Sequence, residues 1–147
     1  MHVELISAVL IGLGVRADIE KAREMGLAGE NIKMNIGSTL IFPRPGYVEC
    51  MVNVESDPGF DALRLKFTYL GGFTLTTEGE LVDDDQVKIS AACTAKLFPY
   101  IRELIADVTR RLPLTSPLVL NPAIGDEKVL LRQMSVSADT EPQEKKQ

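Results

Sequence analysis

Apolar residues recur at Leu97, Phe98, Ile101, Leu104, Ile105, Val108 and Leu112. Steps of three and four gather such residues into a single stripe only on a helix. A long helix with a greasy face is therefore required, and the rest of the chain has to supply a surface to receive it. Pro99 lies inside the stripe. It has no N–H and its ring crowds the carbonyl of Ala95, which predicts a bend. Lys96, Arg102, Glu103, Asp107 and Arg110 fall on the opposite face. Asp83, Asp84 and Asp85 near the start, with Arg110 and Arg111 near the end, suit the helix macrodipole, and the first turn is expected between Asp85 and Ser90. Consecutive carboxylates could hold a metal, but at a helix start they ordinarily cap and solvate.

The receiving surface is read from the residues upstream. Asn31 to Phe42 alternates, with Ile32, Met34, Ile36, Leu40 and Phe42 set against Lys33, Asn35 and Thr39, the pattern of a half-buried strand. Pro43-Arg44-Pro45-Gly46 then turns the chain. Tyr47 to Glu55 alternates again, with Val48, Cys50, Val52 and Val54 on one face. After the Asp57-Pro58-Gly59 turn, Leu63, Leu65, Phe67 and Tyr69 share one side of a strand running to Leu70. Gly71-Gly72 reads as a bulge, with Phe73 to Thr77 resuming in altered parity. Val3 to Val15 is apolar on both parities, so it is expected to be a strand covered on both faces, by the chain's own helices and by something else. Gly12 and Gly14 within it suggest a bend or a close backbone approach. Asp18 as N-cap and Gly26 as stop bracket a short surface helix. Strands in succession followed by helices give an α+β fold: a four-stranded antiparallel sheet with a long C-terminal helix and a second short helix packed on one face.

Leu112 to Pro122 holds Pro113, Pro117 and Pro122, so it is not helical. It is an apolar loop carrying Leu112, Leu114, Leu118, Val119 and Leu120, which is unusual because loops face water. The acidic connection from Glu78 to Asp85 likewise leaves Leu81 and Val82 exposed unless something covers them. About Ile124 to Met134 reads as the short helix. Residues 1–134 are expected to form one domain and 135–147 a polar, disordered tail.

Chemistry is sparse. His2 is the only histidine and lies at a terminus, which argues against histidine acid–base catalysis and most zinc sites. Cys50 and Cys93 each fall in an apolar pattern and read as buried thiols of a reducing compartment. Gly12-x-Gly14 lacks the remainder of a dinucleotide fingerprint, and no nucleophile–base constellation is visible. The chain is read as no enzyme, with no cofactor and no metal. A net charge of -5 argues against nucleic acid. The run Leu5 to Val15 has Glu4 before it and its first cation, Arg16, after it. That is the wrong order for a signal peptide, and the run is too short for a bilayer. A cytoplasmic protein without membrane insertion is expected.

The stretch Leu97-Phe98-Pro99-Tyr100-Ile101-Arg102-Glu103, with Cys93 five residues before Phe98, resembles the helix signature of the SecB family of protein-export chaperones. Gly71-Gly72-Phe73 stands where that family has a Gly-Gly step, and Leu118-Val119-Leu120-Asn121-Pro122 occupies the place of its apolar inter-helix loop. The likeness covers roughly Tyr47 to Leu131. Thr94 replaces the family proline after the cysteine, and Pro117 is an extra proline in the loop. Phe67 stands at the position of an acidic residue through which the family contacts the SecA motor, and the first strand lacks matching carboxylates.

The resemblance implies a homotetramer, a dimer of dimers that pairs sheets edge to edge and sandwiches the long helices. It implies ATP-independent holding of unfolded polypeptides (preproteins) for export and translocation. The grooves would lie between the long helix, the connection after the fourth strand and the inter-helix loop. Candidate groove residues are Leu75, Leu81, Val82, Phe98, Leu112, Leu114, Leu118, Val119 and Leu120. Candidate interface residues are Cys93, Leu97, Tyr100, Ile101, Arg102 and Glu103. The unmatched acidic positions put SecA docking in question and raise an alternative, a SecB-like chaperone dedicated to one labile partner such as an antitoxin.

Overall fold

The computed structural model describes residues 1–59 and 61–140, the side chains of 136–140 excepted. Strands β1 (His2–Ala17), β2 (Met34–Arg44), β3 (Tyr47–Ser56) and β4 (Leu63–Thr76) form one antiparallel sheet in the order β1-β4-β3-β2. Helix α1 (Ile19–Met25) lies between β1 and β2, and the long α2 (Asp83–Arg110) and α3 (Glu127–Thr140) follow the sheet. This is the expected α+β arrangement. The strands are not neighbours in chain order, however: β1 pairs with β4, so residues 18–33 must cross from one edge of the sheet to the other.

Local signals explain how that crossing starts. The Asp18 carboxylate accepts the Lys21 N–H at 3.1 Å, and Gly26 closes α1 in the left-handed region at φ 57°, where a side chain would be strained. Between β2 and β3 the tight turn rests on Gly46 at φ 75°.

The Gly71-Gly72 step is not a bulge. Leu63, Leu65, Phe67, Tyr69, Gly71, Phe73 and Leu75 keep one parity along β4, and the irregularities lie opposite, in β1. Leu5 pairs with Phe73 and Ser7 with Gly72, leaving Ile6 as an extra residue. Leu10 pairs with Tyr69 and Gly12 with Thr68, leaving Ile11 as another. The glycines answer to packing instead. A Cβ on Gly71 would sit 2.6 Å from the Phe73 ring, and one on Gly72 2.5 Å from the Tyr47 hydroxyl. Gly12 has nothing within 4 Å of its Cβ direction, so within this chain no backbone approaches it closely.

Helix α2 lies on the inward face of the sheet. Ile89, Cys93, Leu97, Ile101 and Ile105 step along it four residues at a time and are buried with Val48, Cys50, Val52, Val54, Leu65, Phe67 and Phe73. The hydroxyls of Ser38 and Ser90 meet at 2.6 Å and tie β2 to the same helix. The helix continues through Pro99, which is exposed. It starts at Asp83, earlier than the sequence suggests, because the Val82 N–H donates to the Asp85 carboxylate at 3.0 Å. Valine has no acceptor to return, so only that half of a capping box forms. Helix α3 runs to Thr140, past Met134, so residues 135–140 are helical in backbone rather than a disordered tail; 141–147 lie outside the described residues.

Candidate functional site

The segment after β1 and the loop after α2 meet at the C-terminal end of the long helix. The Gly29 N–H donates to the Ser116 carbonyl at 2.9 Å and the Thr115 N–H to the Leu27 carbonyl at 2.9 Å. From the helix side, the Thr109 hydroxyl accepts the Leu118 N–H at 2.8 Å while donating to the Ile105 carbonyl at 2.7 Å. Arg102 Nε donates to the Leu120 carbonyl at 2.8 Å. The proline-rich loop is thus held on both sides.

That arrangement divides the candidate groove residues. Leu118 and Leu120 turn into the core, Val119 between them points outward, and Leu112 and Leu114 are half-buried against the core. Leu75 is buried on the inward sheet face beside Val3. Phe98 is 4% exposed because the turn at Pro122–Gly125 presses on it; a Cβ on Gly125 would fall inside its ring contacts. Leu81 and Val82 are exposed, but they lie at the other end of α2. Its 28 residues span about 42 Å. The β1–β2 crossing meets the inter-helix loop near the C-terminal end of α2, and from there the loop runs back to Arg102 and Phe98 at mid-helix.

The interface candidates divide too. Cys93, Leu97 and Ile101 are fully buried against the sheet of their own chain and offer nothing to a second subunit. Arg102 is occupied with Leu120. Tyr100 and Glu103 remain on the surface, where they line a cleft of about 450 Å³ with Tyr69, Leu104, Asp107 and Arg110. Burial, and then the nearby Glu103 carboxylate, push the Tyr69 phenol above its usual range. The Tyr69 and Tyr100 rings lie 6.3 Å apart.

None of the candidate site residues falls on β1, although its doubly apolar pattern calls for cover beyond the chain's own helices. Along β1, Ile6, Val9, Leu10, Ile11, Leu13 and Val15 are each between 38% and 58% exposed. β1 is an edge strand and α2 covers little of it beyond Val3 and Leu5. The signal was present in the doubly apolar pattern. What it expressed was the absence of cover by the chain's own helices. Leu10 opposite Tyr69 and Leu13 opposite Phe67 put this strip beside the cleft against α2.

Ionisable chemistry stays inside or dispersed. The thiols of Cys50 on β3 and Cys93 on α2 face each other in the core; the neighbouring thiol and burial drive the Cys93 pKa up. The buried Thr94 hydroxyl has no nitrogen or oxygen partner among the described residues and lies against Cys50. Among the described residues no three His, Cys, Asp or Glu side chains gather as a metal site, and no helix is long and apolar enough to cross a membrane.

No family model matches the chain, and no curated protein matches it in sequence. Among solved structures it is similar to a SecB-like chaperone of Mycobacterium tuberculosis in complex with a ChAD peptide from the HigA1 antitoxin. The TM-score is 0.62 at 18% identity, covering 81% of this chain and 86% of that one. The fold is SecB-like. A protein of unknown function from Streptococcus agalactiae is also similar, with a TM-score of 0.46 at 15% identity over 82% of this chain and 98% of that one. Within the SecB-like fold, Phe67 is buried on the inward face, so it cannot occupy a docking position on the outer sheet face. Its outward neighbour is Lys66, near Arg64 and Arg16.

Proposed function

We propose that this protein is an ATP-independent molecular chaperone that holds non-native polypeptide on uncovered apolar surface, and that it is dedicated to one labile partner of the antitoxin kind. The observation that carries this reading is the strip Ile6, Val9, Leu10, Ile11, Leu13 and Val15. It lies on a free sheet edge, in a chain whose own core is already closed by α2. An exposed apolar surface on this scale serves association with other chains, and a free strand edge adds main-chain pairing that reads no side chain. Support for a dedicated partner comes from the antitoxin peptide held by the structurally similar chaperone. The outward cations Arg16, Arg64 and Lys66 also stand on the sheet face where the SecB family presents carboxylates to SecA.

The assembly we propose is a homotetramer, two edge-paired dimers, working in the cytoplasm. The free, buried thiols Cys50 and Cys93 suit a reducing compartment. Two assays test the function. Suppression of aggregation of a chemically unfolded protein, without nucleotide and at equimolar tetramer, is expected; no protection overturns the chaperone reading. A pull-down from the native host is expected to return one dominant stoichiometric partner. Recovery of many presecretory proteins together with SecA instead establishes the export role, which the fold also accommodates.

A further inference from the structure

Charge on the outward face of the sheet is sorted by end. Arg64 and Lys66 project from β4, Arg16 lies opposite Arg64 on β1, and Glu55 lies opposite Lys66 on β3. With Gly14, which has no side chain to fill the space beside Lys66, they line an open pocket of about 390 Å³. Three cations thus meet one carboxylate, in a chain whose net charge is -5. Arg16 against Arg64 is a like-charge pair across the ladder, which weakens a sheet unless an anion joins it. Glu55 faces Lys66 instead; two strands from Arg16, it leaves the arginine pair without an anion of its own. Among the described residues the side chains of Arg16, Lys66 and Glu55 make no ion pair or hydrogen bond, and that of Arg64 donates only to the Pro58 carbonyl at 3.3 Å. The carboxylates nearest along the chain are already engaged: Asp18 with the Lys21 N–H, Asp57 with the Gly59 N–H and Asp61 with the Lys21 ammonium. The next row of this face, Gly12, Thr68, Asn53 and Gly37, is uncharged, and Glu49 and Glu4 lie opposite Gly72 and Thr74, roughly 20 Å or more from Lys66.

We propose that this patch docks an acidic segment of a protein partner, bound in extended form. The inference goes beyond the holding function proposed above, which rests on the apolar strip. Arg64 and Lys66 stand two residues apart on one strand, roughly 6–7 Å, which is the spacing at which an extended segment presents alternate side chains. A partner with Asp or Glu at every second position therefore meets both. Arg16 flanks Arg64 from the next strand, roughly 5 Å away, so one carboxylate is gripped by two guanidiniums, the donors best shaped for it. Glu55 beside Lys66 makes that second position the weaker of the two. A nucleic-acid backbone is the poorer occupant: three cations neutralise few phosphates, and the net charge of -5 repels the rest of a long polyanion.

Fluorescence anisotropy on the full chain at low ionic strength tests this, with a labelled peptide that alternates Glu and Ser and a counterpart that alternates Gln and Ser. The Glu–Ser peptide is expected to bind in spite of the net charge and to be released by salt, and the Gln–Ser peptide is not expected to bind. Arg16→Gln with Arg64→Gln is expected to weaken binding on the order of tenfold. Glu55→Gln is expected to tighten it, because it removes the one carboxylate of the pocket. All three side chains are exposed, and an unchanged far-UV circular dichroism spectrum confirms that each variant folds. Equal binding of the two peptides, or of the Glu–Ser peptide by the wild-type and doubly substituted chains, overturns the dock. Tighter binding of a single-stranded oligonucleotide, lost in the same double variant, overturns the choice of a polypeptide. Suppression of aggregation is measured on the double variant as well: unchanged suppression supports a separate dock, and suppression that falls together with peptide binding overturns it by making the patch part of the holding surface. Failure of the dock leaves the holding function standing.

Discussion

Replacing Gly29 by alanine tests whether the β1–β2 crossing and the inter-helix loop behave as one clamped unit. Gly29 is buried, and a Cβ there would lie 2.5 Å from the Pro117 carbonyl oxygen, with the backbone carbon behind it closer still. These are backbone atoms, and the loop is pinned from its far side by Leu118 N–H on Thr109, so it cannot swing away freely. Relief means separating the two segments. That puts at risk the Gly29–Ser116 and Thr115–Leu27 hydrogen bonds, each worth about 1 kcal/mol net. Residual overpacking adds about 1–3 kcal/mol. Alanine returns about 0.5–1 kcal/mol by lowering the entropy of the unfolded chain. The expected loss is therefore about 2–4 kcal/mol. Urea unfolding followed by far-UV circular dichroism, at one fixed protein concentration, reads it directly. Gly37→Ala is the control. Its Cβ would meet nothing within 4 Å on an exposed strand, so it is expected to be neutral or to stabilise by up to about 1 kcal/mol. A Gly29→Ala protein within about 0.5 kcal/mol of wild type, the range of an inconsequential surface change, refutes the clamp.

Thr109→Val keeps the side chain's shape but removes the acceptor for the buried Leu118 N–H, and is expected to cost about 1–3 kcal/mol by the same unfolding measurement. Arg102→Ala should cost about 1 kcal/mol and speed amide exchange across residues 112–121. Arg102→Lys should not rescue it, because lysine has no mid-chain N–H to offer the Leu120 carbonyl. Absorbance titration should show Tyr69 ionising above the ordinary tyrosine value of about 10. Glu103→Gln should lower that value only in part, since burial is the larger cause. A raised folded pKa means that this group's contribution to stability is complete below the unfolded value and is lost as pH climbs through the folded one. Alkaline unfolding should accordingly steepen there, and a Tyr69→Phe chain should lack that step. Finally, thiol reagents should leave Cys50 and Cys93 unmodified in the native protein and label both in urea.

How far the sequence carries can be judged strand by strand. β2, β3 and β4 alternate with period two because one face of each packs on α2 and the other meets water, so they were legible locally. The same holds for α1, whose cap and stop are residue chemistry acting over a few positions. The stripe on α2 was legible as apolar but not as to what covers it. Cys93, Leu97 and Ile101 look the same to a periodicity argument whether they meet their own sheet or another subunit, and here their own sheet takes them. The Gly-Gly step has the same ambiguity: a bulge and a side-chain overlay both call for glycine, and only Tyr47 and Phe73, brought in by the fold, decide it. In the inter-helix loop, Leu118, Val119 and Leu120 are consecutive apolar residues, and an extended backbone sends them alternately in, out and in. β1 is the hardest case because its position follows from pairing with β4, far away in the chain. A strand apolar on both faces belongs in the middle of a sheet layered on both sides, yet this one lies at the edge with its apolar side chains in water. That conflict between pattern and position is the physical content of the functional reading: the strand is patterned for an interior that one chain does not contain.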